Sequence, residues 1–192
     1  MVRMKSRTPL IGNRQFVRRM IRAIVLMVAL IVMPGCSAPR RTYQPPQDPS
    51  AFNDTAFLHY LATVPTVTVA EGVRAAGLLA GPTQQPATWE DQRSHLERLG
   101  ALKPDWRLRP DDTLDKGTLA YVLTAICKTP RSLTETASAV TGLGDRRYAL
   151  KTCIDEGLLP YGLAHDAVTG GELISALSKA ERFIAVDLAN GS

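Results

Sequence analysis

Three groups of residues in this 192-residue chain have the types and spacing to do chemistry. The first is a lone thiol, Cys36, which directly follows an apolar run and a small residue in Met33-Pro34-Gly35-Cys36. A thiol in an extended, uncrowded segment can accept an alkyl or acyl group. The second group is Trp106 with Arg107 and Arg109, followed by Lys116. An aromatic face beside cations suits an anionic sugar polymer; a Trp plugging the core beneath solvated arginines is the plainer alternative. The third is Cys127 with Cys153, the only thiols beyond Cys36. An oxidising compartment lets them pair as a disulfide, and the other reading is two small buried residues on helix faces.

Other candidates carry less. His59, His95 and His165 lie far apart without metal-ligand spacing, and no HExxH, CxxC, GxSxG or P-loop pattern occurs. Asp111, Asp112 and Asp115 lack the calcium-loop pattern and read as loop and helix-cap residues. No nucleophile, base and metal set converges, so the expectation is a non-enzyme with no metal and no cofactor. The formal charge of +5 also misleads. Residues 1–35 hold seven basic residues and no acid, which leaves 16 basic and 18 acidic residues beyond them. A mildly acidic body without a basic stripe is not expected to bind nucleic acid.

The segment before Cys36 has the layout of a targeting signal. A basic stretch precedes Ala23 to Met33, an apolar run of 11 residues, too short to span a bilayer, which takes about 20 residues. Met20 would start a signal of ordinary length and is the expected start. Met33-Pro34-Gly35-Cys36 resembles the lipobox of bacterial lipoproteins; Gly35 and Cys36 match it, Met33 stands in for Leu, and Pro34 departs from it. The resemblance implies a lipid on Cys36, hence a membrane partner and an exported envelope protein. Two alternatives are an ordinary secretory signal cleaved near Gly35 or Ala38 and an uncleaved anchor. In that family an Asp after the Cys retains lipoproteins at the inner membrane; Ser37 stands there, which favours the outer membrane in a cell with two. Residues 37–50 hold four prolines and few aliphatics, so residues 36–52 read as an extended tether.

Beyond it the periodicity is helical, with no alternating strand run, and a helical domain is expected over 53–186 with a frayed tail after it. Phe57 to Leu61 is one apolar helix candidate. Thr68 with Glu71 has capping-box spacing for a helix to about Leu79, stopped by Gly81-Pro82. Thr88 opens a helix with Trp89, Leu96 and Leu99 inward, ended by Gly100. Asp115 caps a helix with the stripe Leu119, Val122, Leu123 and Ile126. Ser132 with Glu135 opens a short helix. Asp145 opens one to Glu156, with Leu150, Cys153 and Ile154 inward and Gly157 as the stop. Thr169 with Glu172 caps the last, in which Leu173, Leu177, Ala180 and Ile184 align.

One unit occurs twice: a helix stopped by Gly-apolar-Leu, a loop, and a capped amphipathic helix. Gly100-Ala101-Leu102 precedes Leu114-Asp115, and Gly157-Leu158-Leu159 precedes Val168-Thr169. Val67-Thr68-Val69-Ala70-Glu71 reads as the second half of a third copy. With Tyr148-Ala149 through Leu159, these motifs resemble the S-layer homology family over about residues 53–183. The resemblance implies an all-α bundle of three helix-loop-helix repeats and binding of cell-wall polysaccharide or peptidoglycan. That family's motif Arg helps form the ligand groove; the position holds Val69, Lys116 and Gly170 here, so only Lys116 keeps a cation. The resulting expectation is a non-catalytic envelope module docking to wall glycan or supporting envelope structure. The alternative is a protein–protein adaptor in a membrane-associated envelope assembly.

Overall fold

The computed structural model describes residues 41–81, 88–129 and 144–190, all in the compact unit Arg40–Ser192. The leader, Cys36, Pro82, the helix expected at Ser132 and the last two residues lie outside the described residues. The protein is all-α, with six α-helices among the described residues: α1 (Asp54–Thr63), α2 (Val69–Leu79), α3 (Trp89–Arg98), α4 (Lys116–Ile126), α5 (Asp145–Asp155) and α6 (Gly170–Asn190). Extended pairing among them is limited to three isolated bridges.

The helix starts follow from local chemistry. Thr68 and Glu71 form a reciprocal capping box on α2, and Thr169 with Glu172 repeats it on α6. Asp115 accepts the Thr118 N–H at 2.6 Å to open α4, and Asn53 opens α1. α5 begins at Asp145, as expected. Its cap is Gly144, which is left-handed at φ 81° and offers no side chain. Asp145 is the first helical residue, and its carboxylate pairs with Lys103 instead.

The repeats close into a ring. The Val67 N–H donates to the Val168 carbonyl (3.0 Å), Val168 to Leu114 (3.0 Å), and Leu114 back to Val67 (2.8 Å). One residue past each cap, Val69, Lys116 and Gly170 donate to the carbonyls of Asp112, Asp166 and Val64 at 2.8, 2.9 and 3.0 Å. Helix N-terminal N–H groups without an intrahelical acceptor are satisfied in this way by the neighbouring repeat. The helix pairs follow the same order: α2 packs on α3, α4 on α5, and α6 on α1. α1 is thus the first half of the third copy, and it ends on Val64 in extended conformation rather than on a glycine.

The two Gly stops are equivalent in conformation. Gly100 and Gly157 have φ of 70° and 71°. After them, the N–H groups of Ala101 and Leu102 converge on the Leu96 carbonyl, and those of Leu158 and Leu159 on the Cys153 carbonyl. This left-handed helix ending favours Gly because it lacks a Cβ. One core, including Phe57, Leu61, Leu96, Leu119, Leu123 and Leu173, fills the centre. Leu99, expected inward, is half exposed at 50%, since the helix ends one residue before it.

The expected tether is the largest departure. Residues 41–52 lie on the body. The Thr113 N–H donates to the Arg41 carbonyl at 2.7 Å, the Tyr43 N–H donates to the Asp111 carbonyl at 3.0 Å, and a 3-10 turn forms at Pro49–Ala51. Composition alone does not reveal this, because the acceptors and donors are backbone groups of distant loops.

Candidate functional site

Among the described residues, a cleft of about 390 Å³ lies between the N-terminal segment and helices α1, α2 and α3. Asp54 and Phe57 come from α1, Glu71 and Arg74 from α2, and Trp89 and Gln92 from α3; residues 48–50 close one side. Each wall is fixed by a named contact. Glu71 is buried at 1% exposure and accepts from the Tyr60 hydroxyl at 2.7 Å and from the Thr68 N–H and hydroxyl at 2.7 and 2.8 Å. Burial, then the Glu71 carboxylate, pushes the Tyr60 hydroxyl above its ordinary pKa, so it stays a donor. Arg74 lies over the Phe57 ring at 4.1 Å and donates to the Pro49 and Phe52 carbonyls at 2.6 and 2.7 Å and to Asp54 at 3.1 Å. Trp89 is half-buried beside it. A half-exposed indole among carboxylates, an amide and carbonyls presents an apolar face and hydrogen-bonding edges together.

Trp106 sits in a different cluster. Its ring packs edge-on against Tyr121 at 4.8 Å, and the Arg146 guanidinium covers it at 4.2 Å. Arg146 also donates to Asp115 at 3.4 Å. Lys103 lies 5.8 Å from the Tyr121 ring and pairs with Asp145, which raises its pKa. Arg107 and Arg109 are exposed and do not cover the indole. The cation on Trp106 is therefore Arg146, 40 residues away in sequence and absent from the expected set.

Lys116 is also removed from that set. It is buried at 8% exposure, with its ammonium 3.0 Å from Glu172. Burial pushes the Glu172 carboxyl up, but the Thr169 N–H and hydroxyl and the Lys116 ammonium outweigh it and hold the pKa below its ordinary value. Lys116 therefore braces one repeat against the next. The equivalent Val69 is buried at 1%, and a Cβ on the equivalent Gly170 would lie 1.7 Å from the Leu61 carbonyl oxygen. The position where the resemblance places a ligand Arg is enclosed in all three copies and exposes no cation here.

Cys127 and Cys153 are both buried thiols, not a disulfide. Cys153 donates to the Ala120 carbonyl at 3.5 Å, and burial pushes the Cys127 thiol up to about 11. Among the described residues no group of three or more His, Cys, Asp or Glu could hold a metal ion.

The residues that sequence reasoning missed, Arg74 and Arg146, were accessible through the repeat. Arg74 and Tyr121 each stand six residues after a helix cap, and Trp89 and Arg146 each stand 11 before a Gly stop. Superposing the copies on their caps and stops brings out both pairs. No family model, no curated protein and no solved structure matches this chain.

Proposed function

We propose that the chain is a non-catalytic envelope lipoprotein, lipidated at Cys36, whose ring of three repeats docks on cell-wall glycan or peptidoglycan through the cleft at Arg74 and Trp89. The observation that carries this reading is the cleft itself: an indole, a guanidinium and an amide converge on about 390 Å³. Sugars offer an apolar face to stack and a rim of hydroxyls to bond, and such sites combine one aromatic platform with a few fixed polar groups. The three capped helix starts and the paired Gly stops support the likeness to S-layer homology repeats. The short chain between Cys36 and Arg41 supports a body carried near a membrane.

The test is retention of the full chain, purified in detergent, on purified wall sacculi. Wild type is expected to be retained, with Trp89→Ala reducing retention at least tenfold and Trp106→Ala leaving it within twofold. No retention of the wild type defeats the glycan reading. Loss with Trp106→Ala but not Trp89→Ala moves the site to the other cluster. Mass spectrometry of the membrane-extracted protein tests the lipid: an unmodified Cys36 sulfur would end that part.

The adaptor reading has one observation of its own. Near the end of α6, Val186 and Leu188 are 59% and 69% exposed, beyond the half-buried Phe183 and Ile184. An apolar helix end of this kind suits a protein partner in an envelope assembly. Crosslinking from a photoreactive residue at position 188 in cells tests it, and the absence of any protein adduct counts against it.

A further inference from the structure

The N-terminal segment is attached at two separate places, and one of them is a wall of the cleft. Residues 41–43 pair with the loop at 111–113 through two backbone hydrogen bonds, which together make the Thr42–Asp112 bridge. Six residues on, Arg74 grips the Pro49 and Phe52 carbonyls with two of its nitrogens while its own side chain is 14% exposed. Phe52 packs on the core, its ring 5.3 Å from that of Tyr60. Between the two attachments, Gln44, Pro46, Gln47 and Asp48 are exposed.

Such a segment is held by few bonds, all to groups that water satisfies when they part. Local opening free energies are lowest where buried apolar contacts are few. The helices beneath do not depend on it: α1 is capped by Asn53, α2 by its own capping box, and the ring bonds run through Val67, Leu114 and Val168. The caps and ring bonds of the body are thus made without residues 41–52.

We propose that residues 41–52 are a releasable strap, clamped by Arg74 and Phe52, that docks to complete the glycan cleft and undocks to lengthen the tether. The cleft half rests on the glycan reading, and the reach half rests on lipidation of Cys36. With the strap docked, five residue steps separate Cys36 from the body, about 17 Å of extended chain. With it released to Asn53 the span is 17 steps, about 55 Å. Because residues 48–50 form one side of the cleft, a ligand touching them binds the docked state better. Linkage then requires that glycan binding stabilise the docked, short tether by the same factor.

Hydrogen–deuterium exchange of the full chain in detergent micelles reads the strap directly, with no glycan needed. In the wild type the amides of Tyr43, Ala51, Phe52 and Thr113 are expected to be protected. Arg74→Ala and, separately, Phe52→Ala are expected to speed exchange across 41–52 at least tenfold while peptides from α4 and α5 exchange as before. Wild-type strap amides exchanging at unprotected rates, or both variants exchanging like wild type, would overturn the strap. Phe52→Ala decides alone if Arg74→Ala does not fold. Phe52 lines no part of the cleft, so its variant also tests the coupling: retention on sacculi is expected to fall several-fold as the strap loosens. Faster exchange with unchanged retention would overturn the coupling. A wild type that sacculi do not retain ends the glycan reading and leaves the strap to the exchange result.

Discussion

The first and second inter-repeat contacts use the same backbone frame and the same two side-chain positions, with the chemistry exchanged. Where α2 meets α3, the cation is Arg74 on α2 and the aromatic is Trp89 on α3. Where α4 meets α5, the aromatic is Tyr121 and the cation is Arg146. The first place is an open cleft walled by the strap. The second is filled, because the loop before α4 folds Trp106 against Tyr121 and beneath Arg146. The ring sets where a cleft can form, and the loop inserted between the halves of a repeat decides whether it stays open. The repeat containing α1 and α2 has only a short link from Thr63 to Thr68 and no Trp in it.

The comparison breaks most completely if the shared frame is broken. Gly170→Ala places a Cβ 1.7 Å from the Leu61 carbonyl oxygen, a backbone atom that cannot swing aside, with a Val64 methyl at 2.9 Å as well. A loss of about 3 kcal/mol or more is expected, the scale of severe overpacking. Gly171→Ala next to it meets nothing within 4 Å and is expected to be neutral or stabilising by up to about 1 kcal/mol. Chemical denaturation followed by far-ultraviolet circular dichroism measures both. Equal effects would mean that the ring does not close tightly at α6.

A smaller effect separates the two clefts. Trp106→Ala removes a half-buried plug with its Tyr121 and Arg146 contacts, and about 2 kcal/mol of stability is expected to go with it, less than for a fully buried Trp. Trp89 flanks an open cleft, so Trp89→Ala is expected to cost about 1 kcal/mol. The same denaturation measurement ranks them. If Trp89→Ala is the costlier change, Trp89 is a packing residue and the first cleft loses its claim to be the site.

The helix frame was legible in the sequence because its signals are local. A cap three residues before the N–H that donates to it, a Gly stop and a 3.6-residue stripe each involve neighbours, and Thr68, Thr88, Asp115, Thr169, Gly100 and Gly157 stand where those signals put them. The candidate site was not legible from residues adjacent in sequence; only superposing the repeat copies brings out Arg74 with Trp89 and Tyr121 with Arg146. Trp106, Arg107 and Arg109 are adjacent in sequence, but an indole's cation is chosen by the helix that packs over it, and that helix carries Arg146. Lys116 carries the charge a ligand site needs, yet its place one residue past a cap buries it facing Glu172. Docking of residues 41–52 rests on backbone groups and one long-range arginine, which composition does not encode.

Thiol chemistry sharpens the same contrast between α4 and α5. Cys127 and Cys153 are 3% and 0% exposed, and the Cys127 thiol is pushed up to about 11. Neither is expected to react with a thiol reagent at pH 8 in the native protein, and both are expected to react once it is denatured without reductant. Two sulfurs that stay silent after unfolding would mean a disulfide, which would tie the C-terminal end of α4 to α5 and make the filled contact covalent.

The smallest expected effect concerns how the two capping boxes differ. The box at Thr68 is buried with Tyr60 against Glu71, whereas the box at Thr169 is partly exposed and shares Glu172 with Lys116. The folded pKa of Glu172 lies below its ordinary 4.5, so the unfolded chain binds this proton more readily. Its contribution is therefore fully present above about pH 4.5 and is lost as pH falls through the folded value. Glu172→Gln is expected to cost roughly 1 kcal/mol at pH 7, the scale of a cap, and progressively less below pH 4. The two stability curves should therefore converge in acid. A constant gap between wild type and variant from pH 7 to pH 3 would show that Glu172 acts through shape rather than charge, and would remove Lys116 from the contacts that brace α4 against α6.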